Sequence, residues 1–300
     1  MIEELVLDWT LLIVPGLIWG ASFLFIAEGL EALAPDGVTF LRMVIGFTTL
    51  SLVPAARGPV LKGDRAAIVW LGVVWLAFPM SMFPHAEQRI SSALTGMLNG
   101  GVPLFAAVVG SLIARRLPAR GVMIGLAVGI SGGVLMALPG INEGGSSLTG
   151  VLLIVAALVS YGVAANLARP LQQRNGALPV VWRALAVAVI LTAPLGLPAV
   201  LEAQWTTRSV LALLALGALG TCVANLVMAT AAGRLGATEA SATAFFIPVV
   251  ALVLGVTVRH EQVAAISLVG GAVCLAGAWQ IRRASLTAAR LASPPAAANS

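Results

Sequence analysis

Apolar runs follow one another along almost the whole chain, separated by short clusters of charge, proline and glycine pairs, or small polar residues. A helix needs roughly 20 apolar residues to cross a hydrocarbon core of ~30 Å. Breaking the chain at those clusters leaves runs at 11–30, 38–56, 66–84, 92–113, 120–138, 149–168, 178–199, 209–232, 238–258 and 263–282. These runs are continuous, whereas barrel strands are about 10 residues long and alternate in character. Lipid admits only helices and closed barrels, because no water is present to satisfy a bare backbone. The pattern therefore predicts an all-α membrane protein with ten transmembrane helices.

Composition supports this reading: only 10% of residues are charged, 59% are hydrophobic and the mean hydropathy is +1.01. Orientation follows from Lys and Arg in short loops, which resist translocation. With the amino terminus cytoplasmic, the inside segments hold Arg57, Lys62, Arg65, Arg115, Arg116, Arg120, Arg169, Arg174, Arg234, Arg282, Arg283 and Arg290. The outside loops hold only Arg89, Arg208 and Arg259. Both termini are expected in the cytoplasm, in a multi-pass protein of a bacterial cytoplasmic (inner) membrane. Met1 to Trp9 has acids and no basic residue, so it lacks the positive start of a cleaved signal peptide and the first helix is expected to stay. The sequence pI of about 10.5 does not imply nucleic acid, because the basic residues are spread over the cytoplasmic loops without interleaved aromatics. Cys222 and Cys274 fall inside predicted spans and show no disulfide or metal spacing.

The second half of the chain repeats the first at an offset of about 140 to 145 residues. Trp19-Gly20 answers Tyr161-Gly162, and Arg42 answers Arg183. Arg89, Pro103 and Gly110 answer Arg234, Pro248 and Gly255, and Gly125 and Gly132 answer Gly270 and Gly277. Five helices per copy is an odd number, so the second copy enters the membrane from the opposite side. Such 5+5 inverted-topology repeats pack around a central cavity in two nearly equivalent ways, which is the geometry of alternating access. The repeat points to transport of a small-molecule substrate across a lipid bilayer.

Several of these residues also resemble a known family. Leu17-Ile18-Trp19-Gly20-Ala21-Ser22-Phe23, the stretch Pro35 to Arg42, the small residues from Asn99 to Pro103, and Gly255 to Glu261 look like the EamA-type transporters of the drug/metabolite transporter superfamily. The resemblance covers residues 11–138 and 149–282 as two EamA-like repeats, with 283–300 left as a disordered cytoplasmic tail. It implies ten helices, both ends in the cytoplasm, and export or exchange of small metabolites such as amino acids. One departure is visible: the acid that the family tends to place after the fourth helix of a repeat is Glu261 in the second copy, but Arg116 in the first.

Polar residues in apolar tracts are the candidates for substrate binding or gating. Arg42 and Arg183 lie about one turn inside their helices, where a charge costs at least ~2.5 kcal/mol at the bilayer centre and less near an interface. They either face a central path and hold an anion, or snorkel and pair with loop acids. Trp19 and Tyr161 occupy matched positions near mid-depth and can wall a cavity or simply pack. Asn99, Asn166 and Asn225 can bind substrate or bond between helices, with Asn99 favoured because it stands one turn before Pro103. His85 clusters with Glu87 and Arg89 after Pro84, as an outer gate or as a solvated loop. Pro103 and Pro248 are candidate hinges. No Asp or Glu falls near the predicted mid-depth of a helix, the nearest being Glu28 and Glu239, which gives little support to coupling through a buried acid. Gly121, Gly125, Gly129 and Gly133 form a four-residue repeat that suits packing within the monomer or a homodimer through glycine-rich helices.

The rival class is a membrane enzyme or a non-transporting scaffold. Gly129-Ile130-Ser131-Gly132 matches a short serine motif of intramembrane proteases, but His85 and His260 are both predicted at helix ends, away from the depth of Ser131. No phosphate-binding loop, metal-ligand spacing or cofactor motif is present. The sequence reads as a secondary transporter rather than an enzyme.

Overall fold

The computed structural model describes residues 2–142, 145–235 and 240–292, and those residues form helices with no strand. In chain order the long helices are α1 (Ile2–Leu30), α2 (Pro35–Ser51), α3 (65–87), α4 (Ser92–Ala114), α5 (Arg120–Asn142), α6 (Gly145–Asn175), α7 (Ala177–Leu201), α8 (Thr207–Leu235), α9 (Ala242–Val258) and α10 (Ala265–Ala292). Among the described residues, 8 helices are long and apolar enough to cross a membrane, and α9 is a shorter apolar helix. α10 runs past the expected end at 282 as far as Ala292, and residues 293–300 of the expected tail lie outside the described residues, as does Glu239.

Large apolar side chains crowd the periphery, with Ile190 at 70%, Leu195 at 68% and Leu201 at 80% exposure. Such a belt would drive aggregation in water and is what a lipid-facing surface requires.

Four helices depart from regular geometry. α3 widens into a π-helix at Gly72–Ala77, and α8 does so at Ala215–Val223. The α3 widening lies just before Pro79, whose ring and missing N–H would otherwise conflict with the preceding turn. Pro84 does not end α3, which continues to Glu87. α4 breaks at Gly100 and Gly101, and α9 begins with the 3₁₀ turn Ser241–Phe245. Pro103 and Pro248 stand in the first turn beyond these breaks, where a missing N–H costs no hydrogen bond. A carbon placed on Gly100 would meet Pro248 at 2.8 Å, so the two broken helices cross at their breaks.

The sequence repeat coincides with features of the backbone. The non-glycine residues with positive φ among those described are Arg115 (50°) and His260 (54°), which stand 145 positions apart. Helix contacts also occur in exchanged pairs: α4 packs on α6 as α9 packs on α1, and α3 packs on α7 as α8 packs on α2. α5 packs against α10 through glycine. A Cβ on Gly277 would lie 2.3 Å from the Gly129 nitrogen, so only hydrogen permits this backbone approach. The glycine face is thereby occupied within the chain, Gly133 alone of that run facing open space, and it lends no support to a homodimer.

Candidate functional site

Trp19 and Gly20 act together. The bare Cα of Gly20 lets α1 lie against α9, where a Cβ would come 2.9 Å from the Ile247 carbonyl. Gly162 does the same for α6 against α4, at 2.7 Å from the Phe105 carbonyl. Each glycine therefore fixes the neighbouring aromatic residue beside a broken helix. Trp19 Nε1 donates to the Gly220 carbonyl at 2.9 Å, a group within the π-helical segment of α8. Tyr161 packs on Phe83 with ring centroids 5.9 Å apart, and Phe83 meets Phe23 edge-on at 5.6 Å.

Arg42 lies beside this aromatic wall and is 5% exposed. A methyl group on Gly220 would sit 3.0 Å from Ser22 Oγ and 3.8 Å from Arg42 Nη2, which places Ser22, α8 and the guanidinium around one point. Tyr161 and Glu87 are within electrostatic reach of Arg42. Arg42 Nε, Asn99 Oδ1, Thr221 Oγ1 and both Glu87 carboxylate oxygens are buried without a hydrogen-bond partner among the described residues. Buried polar atoms are nearly always paired, so five unpaired atoms in one chain require an explanation. An aromatic wall with a few unsatisfied donors and acceptors is the make-up of a small-molecule site.

The end of the bundle that holds Glu28 is closed by charge. Arg208 grips Glu28 through Nε at 2.5 Å and Nη2 at 2.8 Å, and Arg259 Nη1 donates to the same carboxylate at 2.8 Å. Arg259 Nη2 also reaches Glu31 at 3.1 Å, and its Nε lies 3.7 Å from Glu261. Burial works against charge on Arg259, yet Glu31 and Glu28 hold its guanidinium above its ordinary range. Glu261 accepts from Ser92 N at 3.1 Å, Ser92 Oγ at 2.7 Å and Ala93 N at 2.8 Å, so it caps α4 at the positive end of its dipole. The left-handed backbone at His260 turns the chain back for this, and Glu261 N closes the turn on the Gly255 carbonyl at 3.1 Å. Beside the network lies a cavity of about 180 Å³ lined by Ala27, Glu31, Glu87, Ser92, Arg259 and Glu261 among others.

The opposite end carries looser pairs. Arg174 makes two bonds to Asp64, at 3.1 and 2.8 Å, with Asn175 at 2.7 Å, and Arg234 pairs with Asp8. Side-chain exposure is 50% for Arg174 and 39% for Arg234. At both ends the pairs join the first half of the chain to the second.

The remaining candidates are not brought to the central point. Arg183 stacks on Trp182 at 5.5 Å and donates to Pro179 O, one turn back on its own helix. Asn225 donates to Thr221 O, also on its own helix, and Asn166 bridges α6 to the Ala106 carbonyl of α4. His85 Nδ1 lies 2.8 Å from Ser81 O, Nε2 is 3.9 Å from Asp36, and Arg89 bonds the His85 carbonyl. Glu87, their sequence neighbour, does not lie in a solvated loop, because α3 extends through it and its carboxylate is enclosed. Ser131 faces outward and bonds Val128 O at 2.8 Å, which leaves it no catalytic partner.

Sequence reasoning missed the Glu28 network, the unpaired Glu87 and Thr221, and the capping role of Glu261. Glu261 carried a signal, as the acid missing from the first repeat, while Glu87 stood out only as part of an outer gate or solvated loop and Glu28 only as an acid nearest mid-depth.

The profile of the EamA-like transporter family matches residues 9–138 and 148–283. A probable terminal-alkyne amino-acid exporter of Streptantibioticus cattleyicolor is 26% identical over 92% of this chain and 94% of its own. The uncharacterized transporter YdfC of Bacillus subtilis is 26% identical over 87% of this chain and 86% of its own. A solved crystal structure superposes with a TM-score of 0.60 at 19% identity, covering 96% of this chain and 98% of that one, which supports the fold alone.

Proposed function

This chain belongs to the EamA-like transporter family and is a membrane transporter of small organic molecules rather than an enzyme; from that premise we propose that it works by alternating access between two inverted five-helix halves. The halves are residues 11–138 and 149–282, and α2 and α9 are the two short spans that complete ten. At 17 residues, α2 reaches about 25 Å, enough for a locally thinned or slightly compressed bilayer. The exchanged helix contacts and the left-handed residues 145 apart support this arrangement.

The observation that carries the mechanism is that each end of the bundle is held by ion pairs joining the two halves, with the unpaired atoms of Arg42, Asn99 and Thr221 on helix stretches between those ends. Opening one end while the other stays shut exposes the central point to one side at a time. In this reading the Glu28 end faces outward, both termini lie in the cytoplasm and the membrane is the bacterial inner membrane, in keeping with the basic loops. Substrates are amino acids or related compounds moved by export or exchange. Arg42 holds a carboxylate, Asn99 and Thr221 take the polar groups, and Trp19, Phe83 and Tyr161 border the side chain. Pro103 and Pro248 mark the breaks about which α4 and α9 bend.

Purified protein in liposomes, assayed for counterflow of labelled amino acids and organic cations, tests the reading. Uptake of at least one amino acid above empty liposomes is expected, and no amino-acid counterflow across the panel would refute the substrate class. Cysteines near Thr95 and near Ser241, at opposite ends, should respond oppositely to that substrate. Simultaneous exposure would indicate a channel.

A further inference from the structure

We propose that Glu87 is a proton-binding site whose occupation closes the Glu28 end, so that a proton is exchanged as the two halves exchange access. This goes beyond the alternating-access reading and rests on it for the identity of the moving parts.

Around the cavity at this end stand Glu28, Glu31, Glu87 and Glu261, together with the guanidinium groups of Arg208 and Arg259. Both guanidinium groups are taken: Arg208 by Glu28, and Arg259 by Glu28, Glu31 and Glu261. Glu261 in addition has three donors from Ser92 and Ala93. Glu87 is left with neither, and both its oxygens are enclosed without a partner.

An isolated carboxylate ion in such a place costs several kcal/mol, and the usual resolution is to take up a proton. Charged and titratable groups approach Glu87 from several elements. α1 brings Glu28 and Glu31, α2 brings Asp36 and Arg42, α6 brings Tyr161, and the turn after α9 brings Arg259 and Glu261, while α3 itself adds His85 and Arg89. His85 is directed at Asp36 and Arg89 at a backbone carbonyl. Arg42 is the one cation on the inner side, and its Nε is itself unpaired.

Opening the Glu28 end parts Arg259 from Glu28 and Glu31 and admits water through the 180 Å³ cavity that Glu87 helps to line. Glu87 is then hydrated, and its O–H proton leaves to that water as a hydronium ion. Closing reverses the step, with water returning the proton to a carboxylate oxygen. A ligand that binds one of two states better shifts the balance toward it, and here the ligand is the proton and the favoured state is the closed one. Closure is therefore fully favoured at low pH and is lost as pH rises through the range in which closed-state Glu87 titrates.

The test uses the full-length protein in liposomes, with Cys222 and Cys274 changed to Ala and with Ala27→Cys, in the cavity wall, as reporter. The rate at which an impermeant thiol reagent modifies Ala27→Cys, divided at each pH by its rate with free cysteine so that ionisation of the thiol cancels, should rise with pH, by up to about tenfold per unit, the limit for one proton. Glu87→Gln should abolish that rise and leave the end closed, while Glu87→Asp should retain it. Glu261 is intact in both variants, so a response that survives Glu87→Gln would assign the proton elsewhere and overturn the proposal. Infrared difference spectra provide a second readout independent of transport: a protonated-carboxyl band at neutral pH in the parent should be missing from Glu87→Gln, and identical spectra would overturn the proposal. If labelling is flat with pH while the liposomes still carry an amino acid, the proton site falls and the transporter reading stands.

Discussion

Glu261→Gln should loosen the Glu28 end far more than its single atom change suggests. The carboxylate receives Ser92 N and Oγ on Oε1 and Ala93 N on Oε2. A glutamine has one oxygen. If that oxygen keeps Ser92, the amide NH₂ is turned onto the Ala93 N–H, so one charged bond is lost and a buried donor is orphaned. Hydrogen bonds to a charged group contribute about 1.5–3 kcal/mol each, and the two that remain become neutral and weaker. The favourable interaction with the α4 dipole and the Arg259 contact are also diminished. A total of about 3 kcal/mol corresponds to a roughly 100-fold rise in the open population. Glu31 gives the contrast. Its carboxylate also meets Arg259, but its side chain is 63% exposed, so Glu31→Gln should cost no more than about 1 kcal/mol, at most a fivefold change. The assay is modification of Ala27→Cys by an impermeant thiol reagent at fixed pH, which tracks the open fraction when opening and closing are fast. Equal labelling in the two variants would refute the claim that Glu261 is the principal latch.

Three further outcomes are expected. Arg42→Lys should keep partial amino-acid uptake and Arg42→Gln should lose about 10- to 100-fold with the protein still folded by size-exclusion chromatography; loss of folded protein in Arg42→Gln would make the residue structural. Gly132→Ala should lower the melting temperature, since its Cβ would lie 2.3 Å from the Cys274 nitrogen, whereas Gly133→Ala meets nothing within 4 Å and should leave it unchanged or gain about 0.5–1 kcal/mol. Reporter fusions after Lys62, Arg116 and Arg174 should read cytoplasmic, and one between residues 142 and 147 external; a cytoplasmic signal there would overturn the inverted arrangement.

Hydropathy made the helices legible because burial in lipid acts on every residue of a run at once. The repeat made Trp19-Gly20 and Tyr161-Gly162 legible because both glycines serve the same backbone approach, to α9 and to α4. What was not legible depends on single long-range neighbours. Arg42 and Arg183 look alike in sequence, yet Arg183 has Trp182 beside it to stack on and remains half-buried, while Arg42 follows Leu41 and is enclosed by α8 and α1. Glu87 stands after Pro84 and beside two polar residues, the signature of a loop end, and only the closing of α1 and the turn after α9 over it makes it a buried acid.

The same long-range pairing shows where the two halves stop being equivalent. Perfect inverted repeats would make the two access states mirror images of equal energy, and a transporter so built would have no resting preference. The symmetry fails at Glu261 and Arg116, which hold matched positions, each just after a left-handed residue. At the Glu28 end the acid caps α4 and draws Arg259 into a partly buried network. Arg116 carries the opposite charge, and a cation is repelled by the positive end of a helix dipole where an anion is held. Arg116 therefore cannot supply a cap of this kind. The Asp64 end relies instead on exposed pairs, worth about 0–1 kcal/mol each. On the alternating-access reading proposed above, the one-residue departure between the repeats biases the empty protein toward closure at the Glu28 end, and substrate binding or proton release supplies the energy to open it.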